Sequence, residues 1–359
     1  MEIKSGPTGA DKNRKIMVDV IKGFCILMII ITHVANKTPA FRHMIQYGFT
    51  VVPAVSAFMI MSAYVFTISE DHYAGRKQRP WAVWDWFRND RFYPRLRRFL
   101  IPYLIMVICL CAGIVFLLKG RLTLSNVWEI LTLGGRGPGA YYVILMFEFL
   151  AAFPFIKYWA DRDPVTALFG MLAVNIAFES MARYVWNLSD VIYDRLLLRF
   201  TVQIALGILL ATYQKKIAAT ALPLIAFIIG LVYLVSINYM DYEQVLKIGR
   251  FTSGSFFTGL FCFGLIVLFL ELEETAQRFR ILLTPLSFLG KASYHILLVQ
   301  MLYFYFARSF QLEPSFGSLG KIILIDYAVT LIPGCLFYLI SEGIGKIFRK
   351  PRPSVETKK

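Results

Sequence analysis

The chain has 359 residues, of which 57% are hydrophobic and only 17% are charged. A soluble protein carries roughly a quarter charged residues, so this composition excludes an ordinary soluble globular domain. The 38 Lys and Arg residues, against 23 Asp and Glu, do not indicate nucleic-acid binding, because they stand between hydrophobic segments rather than forming one basic face.

Ten apolar segments follow one another, each near the ~20 residues that a membrane-spanning helix needs. The fifth and sixth contain several charged residues, so the number of spans around 165–213 is left open. The chain is predicted to be an all-α polytopic membrane protein, a single bundle of about ten transmembrane helices. The segments are predicted at 16–35, 50–68, 99–118, 140–157, 165–187, 195–213, 217–237, 253–271, 285–307 and 320–347.

The distribution of charge between the segments predicts the orientation. If the N-terminus is cytoplasmic, the cytoplasmic pieces contain 24 Lys or Arg residues and the opposite pieces contain 12. The positive-inside rule favours this arrangement, and ten spans place both the N- and C-termini in the cytoplasm. We therefore predict a cytoplasmic tail at 1–15, a transmembrane domain at 16–347 and a basic cytoplasmic tail at 348–359.

The first segment, MVDVIKGFCILMIIITHV, contains ionisable residues, which are costly inside a bilayer. Lys22 and His33 are 11 residues apart, which returns them to the same helix face, roughly 16 Å apart along the axis. Asp19 precedes Lys22 by three residues and can pair with it. Histidine is the usual general base near neutral pH. The shared face favours a functional stripe. The alternative is that Asp19 and Lys22 extend to the inner surface and His33 to the outer end.

Two later segments carry further candidates. Arg95 and Arg98 stand at the entrance of the third, RFYPRLRRFLIPYL. They are either membrane anchors or ligands for the phosphates of an anionic cofactor. In the fourth, GPGAYYVILMFEFLAAFP, Tyr142 is typical of an interfacial aromatic belt. Glu148 lies within the span, where a carboxylate requires a specific role.

These residues resemble the membrane acyltransferase family 3. VDVIKGFCILMIIITHV is similar to the family's opening signature, an acid, a basic residue and then, after ten intervening residues, a histidine; here these are Asp19, Lys22 and His33, with Lys in place of the usual Arg. VVPAVSAFMIMSAYVF resembles the second helix, with Ser62 at its serine. RLRRFLIPY resembles the Arg-x-x-Arg…Pro entrance to the third helix. LGKASYHILLVQ resembles a late Ser-Tyr segment that commonly ends in His, where this chain has Gln300.

The resemblance implies an acyl-CoA-dependent O-acyltransferase of bacterial cell-envelope glycans in the inner or plasma membrane. It would move an acyl group, commonly acetyl, from cytoplasmic acyl-CoA to a hydroxyl, less often an amine, of a glycan or lipid-linked sugar. His33 would be the general base or acyl-handling residue, with Asp19 and Lys22 arranging charge beside it. Arg95 and Arg98 would hold the CoA phosphates.

The remaining expectations concern the acceptor and the partners. Ser62, Tyr142 and Glu148 are assigned to the substrate site, and no catalytic role is expected for Gln300. The expected partners are acetyl-CoA or another acyl-CoA, a carbohydrate or glycolipid acceptor and membrane lipid, with no nucleic acid and no metal. Association into a homo-oligomer is left open.

One other class of function fits the same polar stripe. A transporter or exporter of a glycan or small polar substrate could use it as a pathway, although the paired repeats common in transporters are not evident. A scaffold without chemistry would leave the buried charges unexplained.

Overall fold

The computed structural model describes residues 15–35, 39–77, 83–88, 91–239, 255–310 and 318–347, and its regular structure in these ranges is helical. Residues 1–14 and 348–359, which make up almost all of the predicted tails, lie outside the described ranges.

Ten long helices form the described bundle, and shorter helices connect them. The long helices are α1 Ile16–Ala35, α2 Ala54–Lys77, α3 Phe92–Phe116, α4 Tyr141–Arg162, α5 Pro164–Tyr184, α6 Thr201–Ala218, α7 Leu222–Tyr239, α8 Phe256–Glu271, α9 Arg280–Ser309 and α10 Leu319–Ile347. The short elements are Pro39–Met44, Tyr47–Thr50, Val83–Trp86, Leu124–Thr132, Asp190–Tyr193, the 3-10 turn Leu197–Phe200 and Glu273–Arg278.

Every apolar segment predicted from the sequence corresponds to one of these helices. Within the described ranges nine helices are long and apolar enough to cross a membrane, and α8 is a shorter apolar helix of 16 residues. This confirms the predicted all-α polytopic fold. The two boundaries that differ most are the start of α3, at Phe92 rather than 99, and the end of α2, at Lys77 rather than 68. Hydropathy marks only the apolar part of a helix, whereas charged residues such as Arg and Glu continue it readily.

The contacts of α8 indicate that it runs through the depth of the bundle. At one end Gln203 Nε2 of α6 donates to the Ser255 carbonyl oxygen at 3.2 Å, and at the other Gln214 Nε2 donates to Glu271 Oε1 at 3.1 Å. Helix α8 is therefore parallel to α6, and its 16 residues rise about 24 Å. Counting α8 as a crossing gives ten in the described chain, the predicted number.

The charges that made the fifth and sixth segments ambiguous form a local cluster. The Tyr193 hydroxyl donates to both carboxylate oxygens of Glu179 at 2.7 Å. Arg199 pairs with Asp194 and lies over the Tyr193 ring. Burial raises the pKa of Tyr193 well above its usual range, so the phenol stays a hydrogen-bond donor. These contacts hold the charges at the connection between α5 and α6 and leave both helices intact.

Helix α1 packs most extensively on α9. A Cβ added to Gly23 would lie 2.0 Å from the Leu286 carbonyl oxygen, and one added to Gly290 would lie 1.8 Å from the Asp19 carbonyl oxygen. The two backbones are therefore in direct contact, as small residues allow between membrane helices. The two helices run parallel. We call this shared boundary the α1–α9 seam.

The start of α1 is fixed by a carboxylate from the short helix Glu273–Arg278. Glu273 Oε1 accepts from the Ile16 amide at 2.9 Å and Oε2 from the Met17 amide at 3.0 Å. These are two of the N–H groups that a helix start leaves without a partner in the helix itself. Lys15 Nζ donates to Gln214 Oε1 at 2.5 Å. Burial lowers the pKa of Lys15, and Glu273 opposes that shift.

Candidate functional site

A cavity of about 80 Å³ lies inside the bundle, between α1, α2, α3, α4 and α9. We call it the central cavity. Its polar lining consists of Lys22, Ser62, Tyr142, Ser293 and Tyr294. The rest of its wall is apolar and consists of Ile26, Ile29, Phe58, Val65, Phe66, Phe99, Met146 and Leu297.

The residues of α1 that line the cavity lie on one helix face. Lys22, Ile26 and Ile29 follow the i, i+4, i+7 spacing, which keeps side chains on one side of a helix. His33 is the next position of that stripe, one turn beyond Ile29. The structure thus places Lys22 in the cavity wall and His33 beyond the end of the cavity, in the order that the sequence predicts. Asp19 is buried one turn before Lys22.

Helix α9 repeats this arrangement across the seam. Leu297 is its last lining residue, and Gln300 follows on the same face. Gln300 Nε2 lies 3.1 Å from Nε2 of the buried His33, and the Phe304 ring packs on the imidazole with 4.6 Å between centroids. Because an amide nitrogen only donates, the imidazole accepts through Nε2 and, when neutral, carries its proton on Nδ1.

A glycine-rich loop covers Gln300 from the side of α4. Gly134, Gly135, Gly137 and Gly139 all have positive φ, between 82° and 114°, a conformation that glycine adopts without strain. A Cβ on Gly139 would lie 3.7 Å from Gln300 Nε2. We call residues 134–139 the glycine loop; it brings bare backbone close to the His33–Gln300 pair.

Of the three residues assigned to the substrate site, two line the central cavity and the third does not. Ser62 and Tyr142 both line the central cavity. Tyr142 is therefore part of an internal polar surface rather than of an interfacial belt. Glu148 is not among the lining residues, and its Oε2 accepts from the Leu197 amide at 2.6 Å. It caps the start of the 3-10 turn, which gives its charge a structural role.

Arg95 lies in a buried ion cluster behind the cavity wall. Its guanidinium pairs with Glu70, donates to Ser69 Oγ at 3.0 Å and stacks over the Trp86 ring at 4.5 Å. Glu70 is fully buried and also pairs with Arg91 at 3.2 Å. The Phe66 ring separates this cluster from the cavity, since it lines the cavity and lies 5.4 Å from Arg95.

Arg98 is in a different environment. Its side chain is 66% exposed, against 19% for Arg95, and it pairs with Glu342 of α10 at 3.2 Å. A partly exposed pair of this kind contributes little energy, so the Arg98 guanidinium is available to an anion. The next residue, Phe99, lines the cavity. Of the two arginines singled out in the sequence, Arg98 is the more exposed.

Sequence reasoning did not find several residues of the site. Ser293 and Tyr294 lie in the motif LGKASYHILLVQ but were not assigned a role, and Glu70 follows the predicted second segment. Only the fold reveals that Gln300 meets His33, because the two are 267 positions apart.

Comparison with known proteins gives one match. The family model described as an acyltransferase domain, that of acyltransferase family 3, matches residues 16–341. No curated protein and no solved structure matches the chain.

Proposed function

The chain is a membrane-spanning member of acyltransferase family 3, and from this premise we propose that it moves an acetyl group from acyl-CoA to a hydroxyl of a cell-envelope glycan or lipid-linked sugar. The donor arrives from the cytoplasm, and the acceptor is met at the opposite end of the bundle. The protein resides in the inner or plasma membrane, with both termini in the cytoplasm.

The observation that carries this proposal is the face of α1 that begins in the wall of the central cavity at Lys22 and ends at the buried imidazole of His33. Lys22, Ile26, Ile29 and His33 occupy one face of α1. A pathway of this kind allows a thioester that enters from one side of a membrane to meet an acceptor that stays on the other side. It requires no movement of either reactant across the bilayer.

The donor binds through the phosphates of CoA, and its acyl-bearing arm enters the central cavity. Arg98, exposed near the cavity wall, binds a phosphate of CoA in our proposal, as planar guanidinium groups do well. Ligand pockets for whole drug-sized molecules have about 300–1,000 Å³, so a cavity of about 80 Å³ suits only the acyl-bearing arm. Lys22, Ser62 and Tyr142 supply polar contacts along that arm.

The acyl transfer takes place beside His33. The acceptor hydroxyl displaces the Gln300 amide and gives its proton to His33 Nε2, while its oxygen forms a bond to the thioester carbon. The carbon–sulfur bond then breaks, and the imidazolium returns the proton to the departing thiolate, which leaves as CoA. Gln300 holds the ring with Nε2 as the basic atom until the acceptor arrives.

Transfer from labelled acetyl-CoA tests this proposal. The purified chain in lipid nanodiscs is incubated with [14C]acetyl-CoA and bacterial envelope glycolipid, alongside His33→Ala and the matched control His43→Ala, whose histidine is exposed and outside the long helices. We expect label in the glycolipid with the parent and His43→Ala, and a loss of at least 100-fold with His33→Ala. Equal transfer by all three would refute the mechanism, and no binding of acetyl-CoA by the parent would favour an exporter.

A further inference from the structure

A second cavity lies on the outer face of the bundle. Helix α3 and the short helix Leu124–Thr132 enclose an open groove of about 660 Å³, within the range of ligand sites. We call it the α3 groove. All its lining side chains are apolar apart from the Cys111 thiol, and they include Val107, Val115, Val127 and Leu131.

Hydrogen bonds hold the two walls of the groove together. The Tyr103 hydroxyl donates to the carbonyl oxygens of Ile130 at 3.0 Å and Leu131 at 2.8 Å, so the short helix is fastened to α3. Other lining residues face outward, with Ile108 67% and Phe116 78% exposed. The open side therefore faces the hydrocarbon of the bilayer, from which a ligand can enter.

A cation lies near one end of the groove. Arg136 of the glycine loop pairs at 3.5 Å with Glu129, which lies between the lining residues Val127 and Leu131 on the short helix. The two side chains are 34% and 53% exposed, and an ion pair so open to solvent is weak. A phosphate, which a guanidinium binds with two parallel hydrogen bonds, can replace the carboxylate. An apolar groove ending at a guanidinium is complementary to a lipid with an anionic head.

The groove lies next to the part of the bundle that holds His33. A Cβ on Gly135 would lie 3.1 Å from the methyl groups of both Met106 and Met301. Met106 precedes Val107 of the groove, and Met301 follows Gln300, the partner of His33. One layer of side chains and the glycine loop thus separate the α3 groove from the imidazole.

We propose that the α3 groove holds the hydrocarbon chain of a lipid-linked acceptor, with the lipid phosphate on Arg136 and the attached sugar reaching His33 along the glycine loop. This inference rests on the proposed acyl transfer and specifies how its acceptor binds: from the plane of the membrane, tail first, rather than from the aqueous side.

A photoreactive lipid phosphate tests the groove directly. The full chain in nanodiscs is irradiated with diazirine-labelled farnesyl phosphate, and the labelled residues are located by mass spectrometry. We expect label within 104–131, a loss of at least tenfold in Ala112→Trp, which fills the groove, and a similar loss in Arg136→Gln. Leu336→Trp is the matched control, because it adds the same ring to the exposed outer face of α10, and it should label like the parent. Unlabelled farnesyl phosphate should compete, whereas neutral farnesol should not.

The outcomes separate this inference from the proposed function. Label spread equally over α10, or unchanged in both groove variants, means that the groove holds bulk lipid only and overturns the inference. Acetyl transfer is measured in the same nanodiscs with a lipid-linked sugar. If the parent transfers no acetyl group but labels in the groove as expected, the acyltransferase proposal fails and the lipid-phosphate site stands. If transfer continues undiminished in variants that no longer label, the site is not the acceptor's and the inference fails alone.

Discussion

Nε2 of His33 lies 3.1 Å from Nε2 of Gln300, so the first and ninth long helices join two buried polar side chains at the far end of their seam. The amide is the donor, which leaves the Nε2 lone pair of the imidazole directed at α9. The basic atom of the proposed reaction is thereby placed by a residue 267 positions away.

Removing the Gln300 amide should slow acyl transfer without weakening donor binding. In Gln300→Leu the imidazole loses the N–H group that orients it, and we expect kcat to fall by roughly 10–100-fold, the scale of losses when a group that orients a functional imidazole is removed. Gln300→His, which restores the residue common at this place in the family and can also donate an N–H, should retain more activity. Steady-state kinetics with [14C]acetyl-CoA provide the check. An equal loss in both variants, or a change confined to the KM for acetyl-CoA, would contradict the orienting role.

Filling the central cavity should block the donor arm. Ser293→Phe introduces a ring into a cavity of about 80 Å³, and we expect transfer to fall at least 100-fold while acetyl-CoA still binds at Arg98. Ser236→Phe on α7, outside the cavity, is the control for the added volume. Thermal unfolding in detergent shows whether either variant is folded. Normal transfer by a folded Ser293→Phe protein would mean that the acyl group takes another route.

Arg95 and Arg98 should respond differently to the same substitution. Arg95→Gln leaves the buried Glu70 carboxylate with fewer cationic partners, and breaking a buried ion pair costs up to about 3–5 kcal/mol. We expect a clear fall in Tm. Arg98→Gln removes an exposed charge and should leave Tm within a degree or two, while the Kd for acetyl-CoA rises about tenfold. Scanning fluorimetry and equilibrium binding measure the two effects. A donor affinity that depends on Arg95 alone would reverse the assignment.

Glu273→Gln should destabilise the protein, and by less at high pH. The substitution removes a carboxylate that accepts from the Ile16 and Met17 amides, a loss of the order of 1 kcal/mol. It also removes a charge that favours protonated Lys15, whose pKa burial has lowered from 10.5. The attraction between Glu273 and protonated Lys15 is present at neutral pH. It is lost as the pH rises through the pKa of Lys15, which is below 10.5. The Tm difference between variant and parent should therefore shrink between pH 7 and pH 10 without vanishing. A difference that grows with pH would contradict this account of Lys15.

Much of this arrangement follows from local sequence, because hydropathy and helical periodicity act over one helix at a time. The 11-residue spacing of Lys22 and His33 was enough to place them along one face of α1. The same reasoning cannot find partners from elsewhere in the chain. From the sequence, Glu148 was assigned to the substrate site because it is a charge within a membrane span. In the structure its carboxylate accepts a hydrogen bond from the Leu197 amide, 49 positions away. Hydropathy carries no information about such a backbone donor.

The second limit of sequence reasoning concerns residues at the ends of apolar runs. Glu70 lies just outside the predicted segment 50–68 and reads as part of a loop. Helix α2 continues through it and buries it between Arg91 and Arg95. The sequence therefore presents Arg95 and Arg98 as an equivalent pair. In the structure Glu70 binds Arg95 and gives it a structural role, whereas Arg98 stays accessible. Hydropathy does not reveal this difference, because Glu70 is not apolar.

The direct backbone contact at Gly23 and Gly290 sets the axial register of α1 against α9. One residue of slippage shifts a helix by about 1.5 Å along its axis, which would carry the His33 imidazole out of reach of the Gln300 amide. A methyl group at Gly290, ten residues before Gln300, would force such a shift or separate the helices. In a screen for inactive variants, substitutions at these glycines should therefore abolish transfer as those at His33 do, although neither glycine lies near the reacting atoms.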